Sequence, residues 1–121
     1  MKKIEAIIRK SKFEDVKEAL YDAEIDWFSY WDITGLGKTI EEQYVRGQAF
    51  LSGYIQRRML SIVVRDINLE KTVNAIMKAA WTGENGDGKI FVYEIEETYR
   101  IRTGETGPKA LYNGESENKT K

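Results

Sequence analysis

Hydrophobic and polar residues alternate near the start of the chain in the way that a strand requires. Over residues 3–9, Ile4, Ala6 and Ile8 fall on one side, and Ile7 adds an apolar contact on the other. This period of two predicts a strand in a sheet that is covered on both faces.

The period then changes to that of a helix. Ser11 and Glu14 have the spacing of a capping box, in which each side chain satisfies the other's backbone amide. Apolar residues follow at steps of three or four, which predicts a helix with one buried stripe that ends near residue 23. The stripe consists of Phe13, Val16, Leu20 and Ala23.

The rest of the chain repeats this order. Residues 27–34 are aromatic and β-branched, which predicts a second strand that the Gly-Leu-Gly run at 35–37 breaks. Residues 59–64 predict a third, central strand, and residues 89–95 a fourth, with a short extra strand over 98–102. A second helix, capped by Asp66 or Asn68, carries apolar residues at helical spacing. They are Leu69, Val73, Ile76, Met77 and Ala80.

Two segments have no such period. Residues 39–56 are a long connection, and loops of this length are usually functional. Residues 82–88 hold three glycines in seven positions, which predicts a tight turn. We expect one domain over residues 1–112 with a long loop at 37–56, followed by a polar tail without fixed structure at 113–121.

Two strand-helix-strand halves predict a fold of the α+β class. The expected architecture is a ferredoxin-like βαββαβ sandwich, a split βαβ with both helices on one face of the sheet. The other face carries part of an aromatic set and needs cover, which self-association would supply. The set is Trp27, Phe28, Tyr30 and Trp31.

Composition narrows the function. Of 121 residues, 41% are hydrophobic and 32% charged, as in a soluble globular domain. The net charge of −1 gives no support for nucleic acid or an anionic membrane as a partner. The chain has no Cys and no His, which removes thiolate catalysis, the usual general base and the commonest transition-metal ligands. An enzyme is not excluded, because Lys, Asp, Glu and Tyr can also transfer protons, but it starts at a disadvantage. We predict no metal site and no catalytic residues, and the cytoplasm is the default location.

Basic, glycine-flanked turns are the candidate chemistry. In the turn before the fourth strand, Gly83, Gly86 and Gly88 let the backbone present amides to phosphate oxygens, and Lys89 adds a positive charge. The spacing is not that of a Walker A loop. An ordinary glycine-rich turn between a helix and a strand is the alternative.

Three further basic segments point the same way. Arg100 and Arg102 would lie on one side of a strand as paired anion donors, unless they are solvated edge residues. Lys38 ends a Gly-Leu-Gly-Lys turn that can also be a simple strand terminator. Arg57 and Arg58 add another cluster. Together these segments favour a phosphate-binding cleft.

Four of these segments together resemble the PII nitrogen-regulatory signal transduction proteins, over about residues 1–107. They are TGENGDGKIFV at 82–92, KKIEAIIR at 2–9, GLGK at 35–38 and IRTGE at 101–105. The resemblance implies a homotrimer of ferredoxin-like protomers that binds ATP or ADP in clefts between neighbouring subunits. It also implies a regulatory protein with at most weak ATPase activity, rather than an enzyme.

The resemblance implies nucleotide contacts residue by residue. The glycine turn and Lys89 would hold phosphates together with Lys38. Arg100 and Arg102 would reach the phosphates from the adjoining protomer. The adenine and ribose region would be lined by Ile7, Ser29 and Val63. The full set is Ile7, Ser29, Gly35, Gly37, Lys38, Val63, Gly86, Asp87, Gly88, Lys89, Arg100 and Arg102.

The long loop corresponds to the family's T-loop, which docks on targets and most typically on an ammonium transporter. The resemblance implies that Arg46, followed by Gly47, plugs such a channel, and that the protein associates with the membrane through it. Phe50 stands at the position of a Tyr that is modified in some members, so no modification is expected there.

The loop departs from the family at the effector site. Thr39 stands where the family has a Gln that joins Mg²⁺ and 2-oxoglutarate binding, and Arg57 where it has a Lys that pairs with the 2-oxoglutarate carboxylate. Arg can still hold a carboxylate, but Thr is shorter and has no amide. Ordinary Mg²⁺-dependent 2-oxoglutarate sensing is therefore not expected.

Two other function classes stay open on the sequence. A slow nucleotide hydrolase would need a base, for which Glu84, Asp87 and Glu105 are the carboxylates near the expected cleft. A ferredoxin-like module of the amino-acid-sensing kind would bind a small molecule at a subunit edge without nucleotide.

Overall fold

Strands and helices alternate along the chain as the hydrophobic pattern predicts. A computed structural model describes residues 1–37, 44–45, 48–49 and 53–111, with the backbone alone at 44–45 and 48–49. The elements are β1 (Lys2–Ile8), α1 (Phe13–Asp22), β2 (Ser29–Leu36), β3 (Tyr44–Val45), β4 (Gln48–Ala49), β5 (Tyr54–Val64), α2 (Leu69–Ala80) and β6 (Lys89–Glu94).

Four strands form one antiparallel sheet in the order β2-β5-β1-β6, and β3 pairs with β4 separately. Because β1 and β2 are both antiparallel to β5, they run in the same direction with β5 between them. The same relation joins β5 and β6 across β1. These are two split βαβ units, so the prediction of an α+β, ferredoxin-like sandwich is confirmed.

The core lies between the sheet and the two helices. Ile4, Ala6 and Ile8 of β1 are buried there, as the alternating pattern requires. Both helices bury most of the predicted apolar positions, with Val16 and Leu20 from α1 and Ile76 from α2 in the same cluster, which also contains Phe13, Leu60, Ile62, Val64 and Ala80. Met77 was predicted with them but is exposed, because it faces away from the sheet. Burial of these side chains drives the packing of both helices on one face of the sheet.

The opposite face of the sheet is open in a single chain. Trp31, Phe91 and Tyr93 lie there and are 45%, 44% and 47% exposed. Two members of the predicted aromatic set lie elsewhere, because Phe28 and Tyr30 pack on Phe13 of α1, with ring centroids 6.3 and 4.6 Å away. The open face therefore takes its aromatic character from β6 as well as from β2.

The capping box predicted for α1 is wrong, since its N-cap residue is Lys12, whereas Asn68, one of the two residues predicted to cap α2, does stand at the N-cap of that helix. No side-chain cap is found at either helix, and each is preceded by a 3₁₀ turn, Lys10–Lys12 before α1 and Asp66–Asn68 before α2. Backbone bonds form these turns, with the Lys12 amide donating to the Arg9 carbonyl at 3.0 Å. The Asp66 carboxylate instead accepts from the amino group of Met1 at 2.8 Å.

Strand β2 ends later than predicted, and strand β5 begins earlier. Gly35 and Leu36 do not break β2, and residues 54–56, expected in the long loop, belong to β5. The two ends pair with each other, Gly35 with Ile55 and Leu36 with Tyr54. This pairing forms a two-stranded ribbon beyond the end of β1, and the Gly37 amide closes it by donating to the Gly53 carbonyl at 3.0 Å.

In the part of the chain that the structure describes, no helix is long and apolar enough to cross a bilayer. The predicted polar tail at 113–121 lies outside the described residues, as do residues 38–43, 46–47 and 50–52 of the long loop.

Candidate functional site

The glycine turn between α2 and β6 is the tight turn that the sequence predicts. Gly83, Gly86 and Gly88 all have positive φ, at 89°, 94° and 113°. At Gly88 a Cβ atom would lie 1.8 Å from the backbone oxygen of Ile7, so a side chain has no room there. The turn is therefore packed directly against the end of β1, which only glycine permits.

One carboxylate organises this turn. Asp87 Oδ2 accepts hydrogen bonds from the backbone amides of Thr82 and Gly83, at 2.7 and 2.9 Å. Its Oδ1 accepts from the Thr82 hydroxyl and from Nε of Arg9, the latter at 3.1 Å. These donors, the Thr82 hydroxyl foremost, hold the pKa of Asp87 well below its usual range. Asp87 is thus an anion at neutral pH whose two oxygens are both engaged by the protein.

Two arginines hold the turn from neighbouring strands. Arg9, just after β1, donates from Nη2 to the Asn85 carbonyl at 2.7 Å as well as to Asp87. Arg57 of β5 donates from Nε and Nη2 to the Gly86 carbonyl, at 3.2 and 2.9 Å. Arg57 also donates from Nη1 to the carbonyl of Gln56, its neighbour in the ribbon, at 2.8 Å.

Arg9 is the functional candidate that the sequence analysis missed. Arg9 directly follows Ile7 and Ile8 at the end of β1. That this end lies beside the glycine turn follows only from the pairing of β1 with β6. Lys89 begins β6 and pairs with Ile7, so both side chains lie on the open face of the sheet beside the turn. Arg57 follows the same alternation on β5.

The structure thus gathers seven of the twelve predicted nucleotide-binding residues at one end of the sheet, and Asp87 of the glycine turn is one of them. Ile7, Gly86, Gly88 and Lys89 meet there, and the ribbon that carries Gly35 and Gly37 extends from the same end. Lys38, Thr39, Arg46, Gly47 and Phe50 lie outside the described residues.

Ser29 and Val63 belong to a separate place on the sheet. Ser29 pairs with Ser61, and both line a groove with Val63, Trp27 and Leu111 that has a volume of about 280 Å³. Like Ile7, Val63 belongs to the open face, where it is 36% exposed.

The two C-terminal arginines do not lie on a strand, so the predicted strand over 98–102 is wrong. Tyr99 makes an isolated bridge to Thr106, and the amides of Arg100 and Gly104 donate to the carbonyls of Glu105 and Arg100, each at 2.8 Å. These bonds close a tight turn over residues 100–105, here called the arginine turn, in place of the strand that the alternating pattern predicts.

Within this turn the arginines differ. Arg100 Nε lies 3.1 Å from the Glu105 carboxylate, its Nη2 donates to the Lys109 carbonyl at 2.9 Å, and its side chain is 13% exposed. Arg102 is exposed.

The glycine turn and the arginine turn lie at opposite ends of β1. Lys89 pairs with Ile7 near the end of β1, whereas the Ile95 amide donates to the Met1 carbonyl and the Thr98 hydroxyl contacts Met1 Sδ at its start. A strand of seven residues is roughly 20 Å long. A single chain therefore does not bring Arg100 near Lys89.

The family model of the Nitrogen regulatory protein P-II matches residues 1–105. The chain belongs to this P-II family. It is 41% identical to the "Nitrogen regulatory protein P-II" of Rhodospirillum rubrum, 43% to that of Mesorhizobium japonicum and 40% to that of Pasteurella multocida. Each alignment covers 112 residues, which is 92% of this chain and 100% of the relative.

The resemblance read from the four sequence segments is thereby confirmed. This P-II protein is a signal transducer of nitrogen regulation, and its family is one of regulatory proteins rather than enzymes.

Proposed function

We propose that this P-II protein binds ATP or ADP between neighbouring subunits of a homotrimer and regulates a partner, an ammonium transporter, through the loop between β2 and β5. The observation that carries the proposal is the separation of its cationic residues. The glycine turn with Lys89 and the turn with Arg100 and Arg102 lie at opposite ends of the sheet. They can share one ligand only if two chains contribute.

The glycine turn has the chemistry of a phosphate site. Lys89 begins β6 beside it and Arg57 contacts its Gly86 carbonyl, and charge-assisted hydrogen bonds from such groups to phosphate oxygens are roughly twice as strong as neutral ones. The glycines keep side chains away from the backbone, so a polyphosphate can approach it closely.

The open face supports the assembly. Trp31, Phe91 and Tyr93 leave apolar area on a face that a single chain does not cover. Large apolar side chains exposed on an uncovered sheet face favour an interaction site. Packing of this face against other copies would bury it and bring the arginine turn of one protomer towards the glycine turn of the next.

The connection from nucleotide to loop runs through Arg57. Its guanidinium binds the Gly86 carbonyl in the turn and the Gln56 carbonyl in the ribbon from which the loop extends. A ligand that displaces the turn in one state therefore changes the bonds at the base of the loop. The nucleotide shifts the loop only as far as its affinity differs between the two loop states.

The loop is the proposed docking element, with Arg46, Gly47 and Phe50 as its contacts to the transporter. At the effector position we propose that Arg57 serves the glycine turn, with Thr39 lacking the amide that a Mg²⁺ and 2-oxoglutarate site would use. The protein would accordingly respond to the ratio of ATP to ADP.

Calorimetric titration of the wild type and of Lys89→Ala with ATP and ADP tests the nucleotide site. We expect Lys89→Ala to weaken ATP binding by about 30-fold or more, because a desolvated charge pair with phosphate is lost. Lys78→Ala removes the same charge from an exposed position near the end of α2 and should bind like the wild type. Equal affinity of Lys89→Ala and the wild type would contradict the phosphate role.

The same proteins separate the other function classes. Phosphate release by the wild type well above that of Lys89→Ala would indicate a hydrolase. Thermal stabilisation by amino acids, without stabilisation by ATP or ADP, would indicate a small-molecule module. Capture of the protein by an ammonium transporter, compared with and without ADP, tests the proposed partner.

A further inference from the structure

Asp87 and Arg9 form a connected pair within the glycine turn. The carboxylate binds two amides and one hydroxyl at the start of the turn, and Arg9 joins that carboxylate to the Asn85 carbonyl in its middle. The Thr82 hydroxyl in turn accepts the Glu84 amide at 3.1 Å. The pair therefore fixes the path of the backbone from residue 82 to residue 87.

We infer that Arg9 and Asp87 are positioning residues of the proposed nucleotide site, which shape the glycine turn for a polyphosphate without contacting it. The inference rests on the proposed function, since it concerns the same site.

The carboxylate is poorly suited to touch phosphate. A carboxylate has about four acceptor positions, and Asp87 uses them for four donors of its own chain. A carboxylate also repels phosphate oxygens when it faces them. Its partner Arg9 neutralises this charge at 3.1 Å, with both side chains about one quarter exposed.

The bonds made by Asp87 also select which amides remain for a ligand. The amides of Thr82 and Gly83 already donate to its Oδ2, so they are not available to phosphate. The later part of the turn is held by its carbonyls instead, Asn85 by Arg9 and Gly86 by Arg57. A Cβ atom on Gly86 would lie 2.8 Å from Arg57 Nη2 and 3.3 Å from Arg9 Nη2, which shows how closely the two guanidinium groups flank the turn.

ATP binding by Asp87→Asn, Arg9→Gln and the double variant tests the inference. Each single variant should bind ATP at least about tenfold more weakly than the wild type, with Mg²⁺ and in chelator alike, because the turn loses its shape. The double variant should be no weaker than the weaker single variant, since the two residues act as one unit. Glu84→Gln removes a carboxylate from the same turn without removing any of these bonds and should bind normally.

Three results would overturn the inference. Tighter binding of Asp87→Asn in chelator would mean that the carboxylate faces phosphate, and a loss seen only with Mg²⁺ would mean that it holds the metal. Wild-type affinity in both single variants would mean that neither residue shapes the turn. A wild type that binds no ATP contradicts the proposed function itself, which is a different outcome.

Amide hydrogen exchange distinguishes a local loss of structure in the glycine turn from a loss of global stability. In Asp87→Asn, exchange should accelerate at Thr82 and Gly83 while the amides of β1 and β5 keep their protection. Arg9→Lys retains the charge but replaces a fork that reaches two acceptors with a single ammonium group. It should also bind ATP more weakly, and it provides a test if Arg9→Gln does not fold.

Discussion

At the scale of single residues, the site depends on where a side chain is absent as much as on where a charge is present. Gly88 and Gly104 both have positive φ, but their surroundings differ. A Cβ atom on Gly88 would overlap the backbone oxygen of Ile7, whereas one on Gly104 would meet no atom within 4 Å. The pair separates the cost of the backbone conformation from the cost of steric overlap.

Substituting these two glycines by alanine should therefore give different losses. Gly104→Ala should lower the free energy of unfolding by roughly 1 kcal/mol, the usual cost of an unfavourable φ. Gly88→Ala should lower it by more than about 4 kcal/mol, because the turn must also move away from β1. Urea denaturation of both variants measures the difference, and equal losses would show that the turn relaxes without cost.

At the scale of elements, α2 is held by one face. Ile76 is 1% exposed in the core, while its neighbour Met77 is 57% exposed on the other side of the same helix turn. The two side chains are similar in volume, and alanine favours a helix at either position. Their comparison isolates the contribution of packing.

Ile76→Ala should destabilise the protein by about 2–5 kcal/mol, since it leaves a cavity in the core. Met77→Ala should change stability by less than about 1 kcal/mol, because an exposed side chain loses little. Thermal or denaturant unfolding checks both. A larger loss for Met77→Ala would mean that another surface covers this side of α2.

The elements also show how far the sequence leads. The stripes of both helices and the alternation in β1 were predictable, because each period is contained in a local segment. The extended ends of β2 and β5 were not, since Gly35 and Leu36 are held by pairing with distant residues. The role of Arg9 was also not predictable, because its partner Asp87 is 78 residues away in the sequence and only the register of the sheet brings the two side chains together. The strand predicted over residues 98–102 does not form, because the Gly104 amide donates to the Arg100 carbonyl and closes a turn there.

At the scale of the whole molecule, the open face decides whether the proposed site exists. Trp31→Glu would place a charge on this face, on the edge strand β2, and should convert the proposed trimer to monomers without unfolding the chain. Tyr21→Glu is the matched control, because Tyr21 is 79% exposed on α1, outside the open face. Sedimentation velocity and circular dichroism measure assembly and fold, and a trimeric Trp31→Glu would exclude this face as the interface.

The length of β1 has a consequence for how such a protein would behave in a cell. Cationic groups at the two ends of a strand roughly 20 Å long cannot bind the same nucleotide until several polypeptides have associated. Responsiveness would then rise with the abundance of the protein itself, as it does for any ligand that recognises only the associated form. At a low concentration of the protein, a nucleotide level that would otherwise bind the assembled form would produce no response.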